Sequence, residues 1–290
     1  MLKLKNHKIW REGSGEKTPF RFHGKMYTVE NVMFSTIAKE PVRYNFHEDF
    51  TRIRDSETGL VINHVLINHY FTSAFVKDDW VYLYAIDYGT NLGWWKSKSI
   101  DMIRSKDLMT WSAPVPVLHA EGEERLFNNS VCFDGKRYVM VFETNNKAYT
   151  PFTFFFAESE DLLTWKKIPG TIYGPDKYVG GPTLFFANGW FYLTYVNRCT
   201  DGDDLWYDTR IARTKDLIHW EDSPEPVLEP DRTRETAPGV REINASDAEF
   251  LEEDGIVKVF WAGGNQQGVL DEQYGEYEGT LAELLESFFE

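Results

Sequence analysis

The chain has 290 residues, 42% of them hydrophobic, with 10 Trp, 15 Tyr and 21 Phe, ample apolar material for a globular core. Its formal charge of −15 argues against nucleic acid or an anionic membrane as partner, and no apolar run approaches the roughly 20 residues that span a bilayer. Residues 1–6 lack an apolar segment of signal-peptide length, so the expectation is a cytoplasmic protein, or a secreted or periplasmic one whose signal peptide has been removed.

Residues 1–17 are basic and polar, with Gly13-Ser14-Gly15, and read as an arm that supplies a closing strand. Beyond them, short turn pairs stand before aromatic-rich alternating stretches five times: His23-Gly24, Asp78-Asp79, Asp134-Gly135, Asn188-Gly189 and Asp254-Gly255. Turn residues followed by alternating Val, Tyr, Phe and Leu read as hairpins. The intervals are 55, 56, 54 and 66 residues. A second marker, S/T-x-D-L-x-x-W, occurs at Ser105–Trp111, Ser159–Trp165 and Thr214–Trp220, spaced by 54 and 55 residues. Its hydroxyl and Asp can bond local N–H groups in a tight turn while Leu and Trp pack to one side. A fixed period of this length marks a structural repeat.

Each unit therefore reads as strand, tight turn, strand, longer excursion, strand, corner, strand. Five such units make an all-β, five-bladed β-propeller in a single domain over 1–290, with blades at about 18–60, 61–118, 119–170, 171–230 and 243–278. The 66-residue interval is explained by a polar excursion, Pro230 to Glu242, read as a surface loop. At the end, Thr280-Leu281-Ala282-Glu283 has capping-box spacing, and Leu281, Leu284, Leu285 and Phe288 recur at helical spacing, predicting a short C-terminal helix. Cys132 and Cys199 fall in different blades and read as free thiols.

If the tight turns join the first and second strands of each blade, the start of strand one and the end of strand two share a rim. Polar residues there converge on one depression: Glu30, His69, Asp87, Asn129, Glu143, Arg198, Asn244, Asp247 and Gln266. Carboxylates and amides pair with sugar hydroxyls, and loop aromatics such as Trp94, Trp95, Tyr149 and Trp206 can stack on sugar faces. Glycoside hydrolysis needs two carboxyl groups across the scissile bond. Glu143, ending the apolar strand Tyr138–Phe142, is the candidate acid, and Asp247, after an Asn-Ala-Ser turn, the candidate ionised partner. Glu30, His69, Asp87, Asn129, Arg198, Asn244, Gln266 and Trp94 are the candidate substrate-binding residues. Bulky loops such as 88–95 point to an exo-acting enzyme. No metal-ligand spacing and no phosphate-binding Gly loop occurs, so no cofactor is expected; a central cation such as calcium, held by carboxylates and water, is compatible with the ring.

Over about residues 18–275 the chain resembles the five-bladed propeller glycoside hydrolases, the superfamily that includes family 43 arabinanases and xylosidases, invertases and mannoside phosphorylases. The resemblance rests on the three D-L-x-x-W corners, the turn-plus-aromatic strands, and Gly180–Phe185 with Asn188–Leu193. It implies a carbohydrate substrate, a plant or microbial oligosaccharide. The usual carboxylates of arabinanase-like members are absent: Thr18-Pro19 stands for an Asp-Pro base, Asn128-Asn129 for an acid-tuning Asp, and Gly180 for the acid of a Glu-Gly-Pro motif. A relocated pair, Glu143 and Asp247, is one reading. The alternatives are a phosphorylase, with Arg198 and His69 on phosphate, and a non-catalytic carbohydrate-binding propeller.

Overall fold

The computed structural model describes residues 2–12, 16–32, 49–88, 96–266 and 269–290, with 10–12 as backbone only. The alternating stretches pair as five four-stranded antiparallel sheets, the blades of a β-propeller. Blade one is Lys17–Phe22, Lys25–Val32, Phe50–Asp55 and Val61–Val65. Blade two is His69–Lys77, Trp80–Asp87, Ser99–Ser105 and Val115–His119. Blade three is Leu126–Phe133, Tyr138–Thr144, Thr153–Ser159 and Lys166–Lys167. Blade four is Gly180–Ala187, Trp190–Asp201, Asp204–Thr214 and Glu221–Asp222. Blade five is Ser246–Glu253, Ile256–Gly264 and Leu270–Glu278, completed on its outer edge by Lys5–Glu12 from the N-terminal arm.

First strands of neighbouring blades face one another all round, blade five against blade one included. Apolar layers fill the spaces between blades. Tyr84, Phe127, Met140 and Phe142 pack between blades two and three, and Val139, Phe154, Leu193 and Tyr195 between three and four. Val61–Val65, placed by sequence in the second unit, pairs with Phe50–Asp55 as the outer strand of blade one. The cause is a tight turn in which Asp55 Oδ1 accepts Glu57 and Thr58 N–H while Gly59 takes φ +73°.

The three D-L-x-x-W corners are superposable in their bonding. In the second copy Ser159 Oγ accepts Asp161 and Leu162 N–H at 3.2 and 2.9 Å, and Asp161 Oδ1 accepts Leu163 and Thr164 N–H at 2.9 and 2.7 Å. The same bonds recur in the other two copies. The turn forces the central Leu into left-handed backbone, φ 62°, 65° and 64° for Leu108, Leu162 and Leu217. That geometry costs a side-chain-bearing residue about 1–2 kcal/mol. Full burial of the Leu side chains, at 2%, 1% and 0% exposed, offsets it by about 1.5–3 kcal/mol each.

The excursion before blade five carries a small hairpin, Glu235–Ala237 with Val240–Arg241, where a plain surface loop was expected. Arg234, bonded to Glu242 and to Asp271 at the start of the third strand, ties it to blade five. The C-terminal helix Leu281–Glu286 has its Thr280–Glu283 capping box, and Leu284 and Leu285 are buried between blades four and five. Cys132 and Cys199 are free thiols.

The corner Leu residues should dominate local stability. Leu162→Ala should lower the unfolding free energy by about 2–5 kcal/mol in urea titrations, whereas Met109→Ala, on an exposed corner position, should change it by less than about 0.5 kcal/mol.

Candidate active site

In blades two to five the first strand carries one extra residue against the second, at the same place. Tyr70 and Ser73 oppose Ile86 and Tyr84, and Leu126 and Asn129 oppose Thr144 and Phe142. Gly180 and Thr183 oppose Val196 and Thr194, and Ser246 and Glu249 oppose Ala262 and Phe260. Such a bulge bends a strand and re-aims a side chain. The residue following the first of each set is Phe71, Phe127, Gly181 or Asp247. Phe71, Gly181 and Asp247 have left-handed backbone at φ 52°, 51° and 54°. All four line one central depression of about 250 Å³. Phe152, Tyr178 and Tyr207 extend its aromatic wall, with Tyr178 against both others at ring-centre distances of 6.0 and 6.1 Å.

Gly181 is the pivot of the acidic wall. Its N–H donates to Glu143 Oε2 at 3.0 Å, and Asn128 Nδ2 donates to the same oxygen at 3.2 Å. On its other side, a Cβ would stand 2.1 Å from Asp247 Oδ1. Only glycine allows both the backbone angle and this approach. With standard bond lengths, these two distances hold the Glu143 and Asp247 oxygens within about 8 Å of each other. Glu16, from the end of the arm, also lines the depression. Below it the cavity narrows to a water-sized throat of about 20 Å³, where Thr18 Oγ1 donates to Glu249 Oε1 at 3.1 Å.

Burial governs the titration of these acids. It pushes Glu143 up to about 8, against hydrogen bonds from Gly181 and Asn128 and aided by the charge of Asp247. Burial raises Asp247 only to about 6, because the Ser246 hydroxyl donates to it. Glu249 is raised to about 8 by burial despite the hydroxyls of Thr18 and Thr183. Glu16 is raised well above the ordinary range by burial and by the charges of Asp247 and Glu143. At neutral pH, Asp247 is thus the ionised member of the group. Among the described residues no cluster of three or more His, Cys, Asp or Glu is arranged to hold a metal ion.

The structure brings together Glu143, Asp247, Asn129 and Gln266 from the sequence candidates, Asn129 in the throat and Gln266 at the mouth. Asn244 lies buried behind them, bonded to Ser246, Ala262 and Gln266. Four candidates do not line the cavity. Glu30 is buried in an ion pair with Arg52 and Arg54, which hold its carboxyl at about 2 against the effect of burial. His69 bonds Asp101 and the Ile67 carbonyl inside blade two. Asp87 sits opposite His69 in the same sheet. Arg198 is exposed on the blade-four hairpin opposite Tyr207. Trp94 and Trp95 lie outside the described residues; Tyr149 packs on Phe155, and Trp206 lies under Arg232. Sequence reasoning missed Glu16, just before the first strand of blade one, and missed Tyr178, just before the first strand of blade four, and Tyr207, inside its third.

The acids make stability fall with pH. Glu143 titrates in the folded protein near 8 rather than 4.5, so the folded state binds more protons through that window and stability is lost as pH rises across it. Glu143→Gln cannot ionise. Between pH 5 and 8, urea titrations should show it losing at least about 1 kcal/mol less stability than the wild type.

No protein-family model matches the sequence, and no curated protein sequence matches it. Solved structures do match its fold. A BT0996 RGII complex aligns with TM-score 0.69 and 15% identity, covering 94% of the present sequence and 88% of its own. A thermostable family-43 glycoside hydrolase gives 0.65 and 12%, with coverage of 94% and 92%. A structure from the GH130 family of mannoside phosphorylases, which contains glycoside hydrolases targeting β-1,2 mannosidic linkages in Candida mannan, gives 0.64 and 10%, with coverage of 92% and 85%. The protein shares the five-bladed propeller fold of these glycoside hydrolases and phosphorylases.

Proposed function

We propose that this protein is a carbohydrate-active enzyme, an exo-acting glycoside hydrolase in which Glu143 is the general acid and Asp247 the carboxylate that activates water or attacks the sugar. The observation that carries this reading is the pair of carboxyls held on the two sides of Gly181, with burial placing their pKa values near 8 and 6. At neutral pH one is protonated and one ionised, the state that glycoside hydrolysis requires. The aromatic wall of Phe127, Phe152, Tyr178 and Tyr207 offers apolar faces for a sugar ring. At about 250 Å³ the depression is smaller than the roughly 300–1,000 Å³ of drug-sized sites. That size favours one or two sugar units over a long polymer, and supports attack at a terminal unit.

In the first step Glu143 gives its proton to the glycosidic oxygen as the bond to the anomeric carbon breaks. Asp247 either removes a proton from the attacking water or bonds the anomeric carbon, in which case water later releases the sugar and returns the proton balance to Glu143. Hydrolysis is favoured over phosphorolysis because no Lys, Arg or His is among the described residues lining the depression, and phosphate recognition rests on such donors.

The test is release of free sugar from a panel of aryl glycosides and oligosaccharides. Glu143→Gln and Asp247→Asn should each reduce turnover by about 10²–10⁴-fold, without stimulation by added phosphate in the parent. The pH profile of kcat/KM should be a bell, rising near 6 as Asp247 ionises and falling near 8 as Glu143 loses its proton. Full activity in both variants would refute the assignment.

A further inference from the structure

Behind Asp247 stands a set of hydrogen bonds whose direction can be worked out group by group. The Ala262 carbonyl can only accept, so the Asn244 atom that meets it at 2.9 Å is the amide nitrogen. That nitrogen also donates to Ser246 Oγ at 2.9 Å. The other end of the Asn244 side chain is therefore its oxygen, and it accepts Gln266 Nε2 at 2.9 Å. Gln266 Nε2 donates as well to Ser246 Oγ, at 3.3 Å. A serine hydroxyl has two acceptor lone pairs and one proton. Both lone pairs of Ser246 are engaged by amide donors, so its proton is directed to the remaining neighbour, Asp247 Oδ2.

We propose that Ser246, gripped by Asn244 and Gln266, is a positioning residue that holds Asp247 in its acceptor form and aims its other oxygen, Oδ1, at the Gly181 side of the cavity. This rests on the catalytic reading of Asp247 given above, and deepens it. Asn244 and Ser246 are fully buried at 0% exposed, whereas Gln266 reaches the mouth of the depression. Asp247 and Gln266 both sit in left-handed backbone, at φ 54° and 58°. Residues other than glycine keep that geometry where surrounding contacts over-determine it. Here the contacts are the hydrogen bonds that join the two strained residues through Ser246.

The titratable groups that face Asp247 are each raised by its charge and so stay protonated as it ionises. They are Glu16 of the arm, Glu143 of blade three, Glu249 on its own strand, and the phenols of Tyr70 and Tyr178. Lys17 lines the throat below but is paired with Glu272 at 2.7 Å. The Ser246 hydroxyl is thus the one hydrogen-bond donor to the Asp247 carboxyl among the described side chains.

The experiment compares wild type, Ser246→Ala, Ser246→Thr and Gln266→Ala in the full-length protein, after urea titration has confirmed that each is folded. Two readouts are taken: the pH profile of kcat/KM on the glycoside found active, and a carbon-13 NMR titration of the Asp247 carboxyl without substrate. Ser246→Ala should move the rising limb and the NMR midpoint up by about one pH unit, a tenfold loss of kcat/KM well below pH 6, with KM little changed. Gln266→Ala should move both by less and in the same direction, and Ser246→Thr, which keeps the hydroxyl, should leave both near wild type. An NMR midpoint unmoved in folded Ser246→Ala overturns the proposal. A midpoint that moves while Asp247→Asn remains fully active sinks the catalytic reading but leaves the role of Ser246 standing.

Discussion

Hydrogen bonds near the axis hold the blades in register, and five of them, taken one from each junction, show the pattern. Thr72 N–H donates to Asn31 Oδ1 between blades one and two, and Ser73 Oγ to Asn129 Oδ1 between two and three. Leu184 N–H donates to Ser130 Oγ between three and four, Thr183 Oγ1 to the Ala248 carbonyl between four and five, and Thr18 Oγ1 to Glu249 between five and one. Apolar layers between blades supply most of the cohesion, but burial of apolar area is non-directional and leaves the height of one blade against the next loosely defined. Buried polar groups must find partners with proper geometry. The five bonds therefore set that height, and Ser73, Asn129, Thr183 and Glu249 occupy the same place in their four bulges. The bulge that presents Phe71, Phe127, Gly181 and Asp247 to the cavity is thus anchored, two residues on, by the contact that joins one blade to its neighbour. Cavity shape and ring assembly share one constraint.

The same arrangement explains why so many acids can stand together. Glu16, Glu143, Asp247 and Glu249 could not all be ionised at close range in a site of low dielectric. Their environments separate them. Glu143 accepts one backbone and one amide donor, Glu249 accepts the Thr18 hydroxyl, and Asp247 accepts a hydroxyl whose own lone pairs are engaged. The ion pair of Lys17 with Glu272, 4% and 1% exposed, lies at the foot of the throat and brings no net charge to it. Blade one shows the contrasting solution. Glu30, just as buried, is neutralised by Arg52 and Arg54 and is thereby removed from acid chemistry.

The architecture was legible in the sequence because its markers are local. Each D-L-x-x-W corner is bonded between residues two or three apart, and each hairpin turn is made by two adjacent residues, so their chemistry survives in a linear reading. Topology then brought Glu143 and Asp247 to one rim. Glu30, His69 and Asp87 satisfy the same positional rule and were not separable from them, because what withdraws them is a partner on another strand: Arg52 and Arg54 for Glu30, Asp101 for His69. The bulges were not legible at all. An extra residue in strand one is visible only against its partner strand, and Phe71, Phe127, Gly181 and Asp247 are of three different residue types. Glu16 was hidden by its place in an arm whose course is set by pairing with blade five and by Asn31, which bonds the Glu16 carbonyl through both its N–H and its side chain.

The positions at which arabinanase-like members carry their carboxylates are not simply vacant here. Thr18, in place of the expected base, holds Glu249 from blade five. Asn128, in place of the expected tuning acid, donates to Glu143. Gly181, beside the glycine that replaces the expected acid, donates its N–H to the same Glu143 and makes room for Asp247. At Thr18 and Asn128 the side chain present is a hydrogen-bond donor, at Gly180 the donor is the next residue's N–H, and each acid contacted comes from a different strand. On the function proposed above, the pattern is that of acid chemistry moved within one cavity rather than removed from it.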